Sequence, residues 1–251
     1  IALGQADDAQ LHVLLLVAEQ APIAHGEVGL PRFQAAPQGL AADFRAHFAA
    51  EPEMFVSAPG RTEVVGNHTD HNNGRVLAAS VNLDTVAAIA PREDGVIELY
   101  SEGYAHPFRV ELADLSVREN EKETTFALIR GVAARLSELG YRIGGFNASV
   151  TSTVFKGSGL SSSAAFEVML VAAFDALYNG WTIEAKLNAR ISQYAENVYF
   201  GKPSGLLDQT ASAVGGLVTM DFAVSPAAVE AIGYDFGAKG YEDTQDSLAA
   251  Q

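Results

Sequence analysis

Cysteine is absent from the chain, which excludes disulfide bonds and thiolate zinc sites and fits a reducing compartment. Basic residues are also scarce, since 16 lysines and arginines stand against 31 aspartates and glutamates, for a net charge of −15. A surface of that charge repels nucleic acid and anionic lipid, so we expect neither as a partner. A phosphate-binding site in such a chain therefore needs local cations or a metal ion.

Long apolar runs are lacking as well. The run at residues 11–18 is too short to cross a bilayer, and the acidic Asp7 and Asp8 precede it where a secretory signal carries positive charge. Hydrophobic residues nevertheless make up 48% of the 251 residues, which is ample for a folded core. These features predict a soluble, cytoplasmic protein.

A loop rich in glycine and serine follows a β-like run at residues 146–155 and precedes an apolar, helix-forming segment. Free backbone N–H groups at a helix N-terminus favour anions, glycines allow close approach, and hydroxyl groups add donors. The spacing matches neither GxxxxGK[ST] nor GxGxxG, so a flexible turn is the alternative to a phosphate loop. The loop consists of Gly157, Ser158, Gly159, Leu160, Ser161, Ser162 and Ser163.

Hydrophobic spacing predicts helices at residues 39–50, 125–139, 162–177 and 183–199, and a short helix at 205–214 that Ser204 caps. Strands are predicted at residues 55–59, 81–90, 95–101, 108–112, 146–155 and 218–222. The dipeptide Asp94-Gly95 indicates a hairpin turn, and the polar segment 60–74 is predicted to be a loop. Because helices and strands do not alternate strictly, the fold class is α+β rather than a doubly wound sheet.

Three segments in order resemble the GHMP small-molecule kinase family, and in particular its galactokinase-type sugar kinases. They are residues 58–74 (APGRTEVVGNHTDHNNG), the loop at 157–165 and the sequence GLLDQ at 205–209. The first is close to the sugar-kinase signature GRxNxxGEHTDYNxG, and the second is shared across the wider family. The resemblance runs from about residue 40 to 222.

Four positions depart from the family pattern. Glu63 stands where the signature has Asn, Asn67 where it has Glu, His71 where it has Tyr, and Phe155 where a proline usually precedes the loop. Asn67 can hydrogen-bond a hydroxyl group, but without the charge-assisted strength of a carboxylate. We therefore expect a higher KM for galactose, or a preference shifted toward a related sugar.

The resemblance implies a GHMP kinase N-terminal domain, ribosomal protein S5 domain 2-like, over residues 37–225. Residues 1–36 are then an irregular lead-in, and 226–251 a tail or the start of a missing C-terminal domain. The implied activity is transfer of the γ-phosphoryl group of ATP to the anomeric hydroxyl of galactose, with Mg²⁺ and with the loop at 157–163 binding ATP.

The resemblance also assigns roles to single residues. Asp208 is the catalytic base and Arg61 its electrophilic partner, while Ser163 and Glu196 bind Mg²⁺. The predicted sugar-binding residues are Asn67, His68, Asp70 and Gly205.

From the residues alone, other interpretations stay open. Asp208 also fits a first-turn aspartate of a helix, and Glu196 a solvated helix residue. His68, Asp70 and His71 are plausible zinc ligands. At the level of function, the alternatives are a non-catalytic sugar or nucleotide sensor on the kinase scaffold, and a kinase for N-acetylgalactosamine or another sugar with an axial C4 hydroxyl.

Overall fold

The computed structural model describes residues 36–66, 68–224 and 228–232. Nearly all of the predicted lead-in, Asn67 and the polar stretch from 238 onward lie outside these ranges. In the part of the chain that is described, no helix is long and apolar enough to cross a membrane.

Five α-helices and seven strands make up the described fold. The helices are α1 (Ala36–Phe48), α2 (Thr125–Glu138), α3 (Ser162–Phe174), α4 (Ala185–Tyr194) and α5 (Leu207–Val214). The strands are β1 (Met54–Val65), β2 (Arg75–Arg92), β3 (Val96–Ser101), β4 (Phe108–Glu111), β5 (Gly145–Ser152), β6 (Leu217–Asp221) and β7 (Ala228–Ile232). Single 3-10 turns occur at Thr69–Asn72 and Glu119–Glu121. The mixture confirms the predicted α+β class.

One long strand, β2, organises the seven-stranded sheet. It pairs antiparallel with β1 along most of its length, with β5 through residues 85–92 and with β6 through residues 75–79. The order along the sheet is β4-β3-β5-β2-β6-β7, with β1 also paired to β2. Strands β3 and β5 are parallel to each other. Strand β2 therefore joins the part of the sheet that contains β5 to the part that contains β6.

Both faces of the sheet are covered. Successive side chains of a strand point to opposite faces. Accordingly, Ala87 and Ile89 join the main core with helices α2, α3 and α4, whereas Val86 and Ala88 pack with Leu40 of helix α1 and its neighbours. The main core is closed by Phe146 and Phe174, among others, and the sheet thus has α1 on one side and the other large helices opposite.

Three local predictions are wrong, each for a non-local reason. Residues 60–65 continue β1 rather than forming a loop, because their backbone pairs with residues 77–80 of β2. Asp94-Gly95 joins β2 to β3, but the two strands are not a hairpin, since β5 lies between them. Ser204 does not cap α5, because its hydroxyl donates to Asn197 at 3.0 Å and the helix begins at Leu207.

Two helices end in π-helical turns, where the predicted helices run on. Helix α3 continues as Asp175–Asn179, and α4 continues as Ala195–Phe200. Such wide turns are frequent at functional sites. The second one carries Glu196, the predicted metal ligand.

Helix α2 holds that second π turn in place by close packing. A Cβ atom added at Gly131 would lie 2.9 Å from both Cα and Cβ of Ala195 and from Cβ of Tyr199. Only glycine fits this approach, which is tighter than ordinary side-chain packing allows. Gly131 therefore fixes the position of the backbone that presents Glu196.

A pair of glycine substitutions tests this packing. Gly131→Ala is expected to lower the free energy of unfolding by about 1–3 kcal/mol, because the methyl group overpacks the contact. The matched control is Gly39→Ala in α1, where an added Cβ meets nothing within 4 Å. The control is expected to raise the free energy of unfolding by up to about 1 kcal/mol through helix propensity. Urea denaturation measures both, and stabilisation by both variants would contradict the close packing.

Candidate active site

An ion pair between a buried arginine and a partly buried aspartate joins two of the three segments of the predicted site. Arg61 Nε lies 2.7 Å from Asp208 Oδ1, with the arginine side chain 7% exposed and the aspartate 25% exposed. Arg61 comes from strand β1 and Asp208 from the first turn of α5. The hydroxyl of Ser212, one turn later in α5, donates to the backbone oxygen of Pro59 at 2.7 Å and ties the helix to the same strand.

The Gly/Ser loop closes around this ion pair. Arg61 Nη1 donates to the Gly159 carbonyl at 2.8 Å, and the Ser161 hydroxyl donates to Asp208 Oδ2 at 2.5 Å. The Arg61 backbone N–H also donates to the Leu160 carbonyl at 3.0 Å. Gly60 permits this approach, since a Cβ there would lie 2.9 Å from that same carbonyl oxygen. All three segments singled out in the sequence therefore meet here.

The loop itself has a strained turn beside the carboxylate. Ser161 has φ 59° and ψ 59°, in the left-handed region that non-glycine residues rarely occupy. Its hydroxyl bond to Asp208 and its carbonyl bond from Ala165 N–H at 3.1 Å hold it there. Gly157 and Gly159 are also left-handed, and the loop up to Gly159 is exposed. Ser162 and Ser163 then open α3 as half-buried residues, so the free N–H groups of the helix N-terminus are presented here.

The charges around Asp208 determine its protonation. Burial alone would raise the pKa of its carboxyl group, but Arg61, through its hydrogen bond and its charge, the Ser161 hydroxyl and the nearby His68 outweigh that effect and lower the pKa below its ordinary value. Asp208 is therefore an ionised acceptor at neutral pH.

The polar turn after β1 reaches the same place. Asp70 Oδ2 accepts a hydrogen bond from the Leu207 backbone N–H at 3.3 Å, and Leu207 directly precedes Asp208. A Cβ at Gly205 would lie 1.7 Å from that Asp70 oxygen, so this position requires glycine. His68 has φ 55°, and its backbone N–H donates to Glu63 Oε1 at 2.7 Å. Two of the predicted sugar-binding residues, Asp70 and Gly205, thus touch each other.

The two predicted metal ligands also meet. The Ser163 hydroxyl donates to Glu196 Oε1 at 3.1 Å, and Lys202 Nζ lies 3.0 Å from the same carboxylate oxygen. Ligand oxygens at 2.0–2.1 Å in an octahedron stand about 3 Å apart along each edge, so this pair has the spacing of two neighbouring Mg²⁺ ligands. The lysine is a local positive charge of the kind that the sequence predicts beside a phosphate site in so acidic a chain.

No cluster of three or more histidine or acidic residues able to hold a metal occurs among the side chains that the structure describes. The side chain of His71 and the whole of Asn67 lie outside the described residues. The zinc alternative at His68, Asp70 and His71 accordingly gains no support from the described geometry.

Sequence reasoning missed two polar residues behind Glu196, the predicted metal ligand. Gln209 Nε2 donates to Glu196 Oε2 at 2.8 Å and to Glu167 Oε2 at 3.2 Å, and all three side chains are buried. Burial, then the charge of Glu196, raises the pKa of Glu167 well above its ordinary value. The available signal was a glutamate inside the otherwise apolar helix AAFEVMLVAAF.

Comparison with known proteins supports the same grouping. The family described as the galactokinase galactose-binding signature matches residues 42–91, and the GHMP kinase N-terminal domain matches residues 127–216. The galactokinase of Streptomyces coelicolor is 42% identical over 175 residues, which cover 68% of this chain and 43% of that protein. Human galactokinase is 38% identical over 178 residues, covering 68% and 44%. The chain thus spans less than half the length of these relatives.

Solved structures share the fold. A crystal structure of Lactococcus lactis galactokinase with galactose superposes with a TM-score of 0.70 at 27% identity, covering 78% of this chain and 52% of that one. Mevalonate kinase of Methanococcus jannaschii, at 16% identity, gives a TM-score of 0.58 over 71% of this chain and 55% of that one, which shows the fold alone. With both family matches falling on the segments that meet around Arg61 and Asp208, this chain belongs to the GHMP kinase family and, within it, to the galactokinase group.

Proposed function

We propose that this chain provides the sugar site and the phosphate loop of a kinase that transfers the γ-phosphoryl group of ATP to the anomeric hydroxyl of galactose. The observation that carries the proposal is the ion pair between buried Arg61 and partly buried Asp208, which Ser161 of the Gly/Ser loop also contacts. The Asp208 carboxylate, the Arg61 guanidinium and the Gly/Ser loop form one hydrogen-bonded unit, which supports their roles as proton acceptor, fixed positive charge and phosphate loop. Galactose is the sugar because the galactokinase galactose-binding signature matches here.

In this proposal Asp208 orients the sugar hydroxyl and accepts its proton as the hydroxyl oxygen bonds to the γ-phosphorus of ATP and the bond from that phosphorus to the bridging oxygen breaks, with ADP as the leaving group. Phosphoryl transfer leaves the protein little covalent chemistry, so positioning and charge stabilisation dominate. Arg61 holds the carboxylate ionised and offers positive charge where the transferred group gains negative charge. The N–H groups at the start of α3, which lack partners within the helix, and the loop from Gly157 to Ser163 receive the phosphates of ATP.

We propose further that Ser163 and Glu196 hold Mg²⁺, since their oxygen atoms have the right spacing for two adjacent ligands. Magnesium retains waters and nucleotide phosphates as its other ligands, so two protein oxygens suffice. When bound, the ion neutralises phosphate charge. Lys202 contacts Glu196 through an exposed side chain, and its positive charge would offset phosphate charge beside the two residues that would hold the ion.

The sugar site in this proposal is the turn between β1 and β2. Asp70 accepts directed hydrogen bonds, His68 donates or accepts them, and Gly205 leaves room beside Asp70. Asn67 completes the set in the sequence. A non-catalytic sensor is the weaker candidate, because such a protein has no need of the paired Arg61 and Asp208.

Asp208→Asn tests the proposed base. Galactose-dependent release of ADP from ATP is expected to fall by about 10²–10⁴-fold, because the amide cannot accept the proton. The matched control is Asp221→Asn, which breaks an ion pair of the same 2.7 Å length with Arg75 outside the site and is expected to retain the full rate.

A sugar panel in the same assay separates the candidate functions. Binding of galactose without turnover in the unaltered chain would favour the sensor, and a rate in Asp208→Asn close to that of the unaltered chain would overturn the role of Asp208.

The stability contributed by the ion pair depends on pH with a defined sign. Because the folded-state pKa of Asp208 is lowered, its stabilisation is present above the ordinary aspartate value of about 3.9 and is lost as pH falls through the folded-state pKa. The difference in unfolding free energy between the unaltered chain and Asp208→Asn is therefore expected to be constant near pH 7 and to shrink below about pH 4. Urea titrations across pH measure it. A difference that grows on acidification would contradict the ionised state.

Asn67→Glu restores the carboxylate of the family signature. The variant is expected to lower the KM for galactose by about 10-fold, since a charge-assisted hydrogen bond replaces a neutral one. The measurement is steady-state kinetics with galactose and N-acetylgalactosamine side by side. An unchanged or higher KM for galactose would show that Asn67 does not weaken galactose binding.

A further inference from the structure

Behind the proposed metal site lies a buried polar cluster formed by Glu167 on α3, Glu196 on the π turn and Gln209 on α5. Their exposed fractions are 0%, 2% and 0%. The side-chain amide of Gln209 has two N–H donors, and Nε2 has one carboxylate oxygen at 2.8 Å and another at 3.2 Å. Three separate elements are thus linked through one amide nitrogen.

The cluster is unfavourable for stability taken alone. Two carboxyl groups taken out of water beside one another are destabilising unless each is compensated, and a well-packed apolar replacement is often neutral or better. In addition, Glu167 Oε1 and Gln209 Oε1 are buried with no hydrogen-bond partner among the described residues. An arrangement of this cost in the core calls for a role other than holding the fold.

The two carboxylate oxygens of Glu196 have different hydrogen-bond partners. Oε2 receives Gln209, whereas Oε1 faces Ser163 and Lys202. The donor on Oε2 prevents rotation of the carboxylate and leaves Oε1 directed at the cation position. Magnesium demands near-ideal geometry, and groups that orient its ligands matter accordingly.

We propose that Gln209 is a positioning residue for the metal-binding carboxylate of Glu196, and that buried Glu167 keeps the Gln209 amide turned toward it. The inference rests on the proposed function, in which Ser163 and Glu196 hold Mg²⁺. Gln209 directly follows Asp208, so the first turn of α5 sends one side chain to the proton-accepting position and the next to the metal ligand. In this proposal, the first turn of α5 therefore positions both the proton acceptor and the metal-binding carboxylate.

The test compares ATP affinity with and without the metal. Gln209→Leu is expected to weaken ATP binding by about 10–100-fold in excess Mg²⁺, as loss of a group that orients a ligand does, and by less than about 3-fold in EDTA. Calorimetric dissociation constants of the purified chain give both numbers. Gln193→Leu is the matched control, because its Nε2 donates to the Ser204 carbonyl outside the cluster, and both of its constants are expected to stay unchanged.

Substitutions of Glu167 keep the proposal testable if Gln209→Leu does not fold. Glu167→Leu removes a buried carboxylate and is expected to fold with equal or higher stability. It is nevertheless expected to lose ATP affinity in Mg²⁺ but not in EDTA. Glu167→Gln retains an acceptor for Gln209 and is expected to stay within about 3-fold of the unaltered chain in both conditions.

The outcomes separate this inference from the function on which it rests. If the unaltered chain binds ATP equally well in Mg²⁺ and EDTA, the metal site itself fails, and with it any group that positions it. If the unaltered chain shows the metal dependence and the variants match it, only the positioning role is overturned. Equal losses in Mg²⁺ and EDTA would show that the cluster acts on the fold, which also contradicts the proposal.

Discussion

The site depends on one electrostatic constraint, the contact between the buried guanidinium of Arg61 and the partly buried carboxylate of Asp208. A buried arginine needs a counter-ion and acceptors for its donors, and here Asp208 and the Gly159 carbonyl supply them. Meeting that need draws β1, the Gly/Ser loop and α5 together. Such a pair adds little net stability compared with apolar packing, but loss of either partner leaves the other charge uncompensated. The ion pair therefore determines that β1, the Gly/Ser loop and α5 meet at this point, rather than adding to the stability of the fold.

Glycines at the contact points make the constraint geometrically possible. Gly60 lets β1 touch the Leu160 carbonyl, Gly205 lets α5 approach Asp70, and Gly131 lets α2 approach the π turn that carries Glu196. At each point a methyl group would meet an atom within about 3 Å or less. The charged centre and the proposed metal ligands are thus held by backbone contacts from several directions, which suits chemistry that depends on position rather than on covalent steps.

Local sequence patterns predicted the elements whose pattern is local. Helix α2 was expected at 125–139 and found at Thr125–Glu138, because apolar spacing and Gly140 mark its face and its end. The hairpin at Asp94-Gly95 was wrong because a strand from 50 residues later in the chain pairs between β2 and β3, and no local signal carries that information. The polar side chains of residues 60–65 predict a loop. The segment is instead a strand, because its backbone pairs with β2, and its side chains carry no sign of that pairing.

The grouping of the three segments around Arg61 and Asp208 was predictable from motif resemblance rather than from residue chemistry. Taken alone, Asp208 fits a first-turn aspartate of a helix. Only its contacts with Arg61 and Ser161 mark its carboxylate as a hydrogen-bond acceptor within the site. Glu167 and Gln209 were missed because a polar residue in a helix ordinarily faces water. Their burial follows from how α3, α5 and the π turn pack, which composition does not reveal.

The central claim is that Arg61 and Asp208 act as one unit, and a double-mutant cycle tests it most directly. Galactose-dependent ADP release would be measured for Arg61→Met, Asp208→Asn and the double variant. Groups that act together give strongly non-additive effects, so the double variant is predicted to be no slower than the slower single variant. Losses that multiply across the two substitutions would mean that the two residues act independently, and would contradict the account.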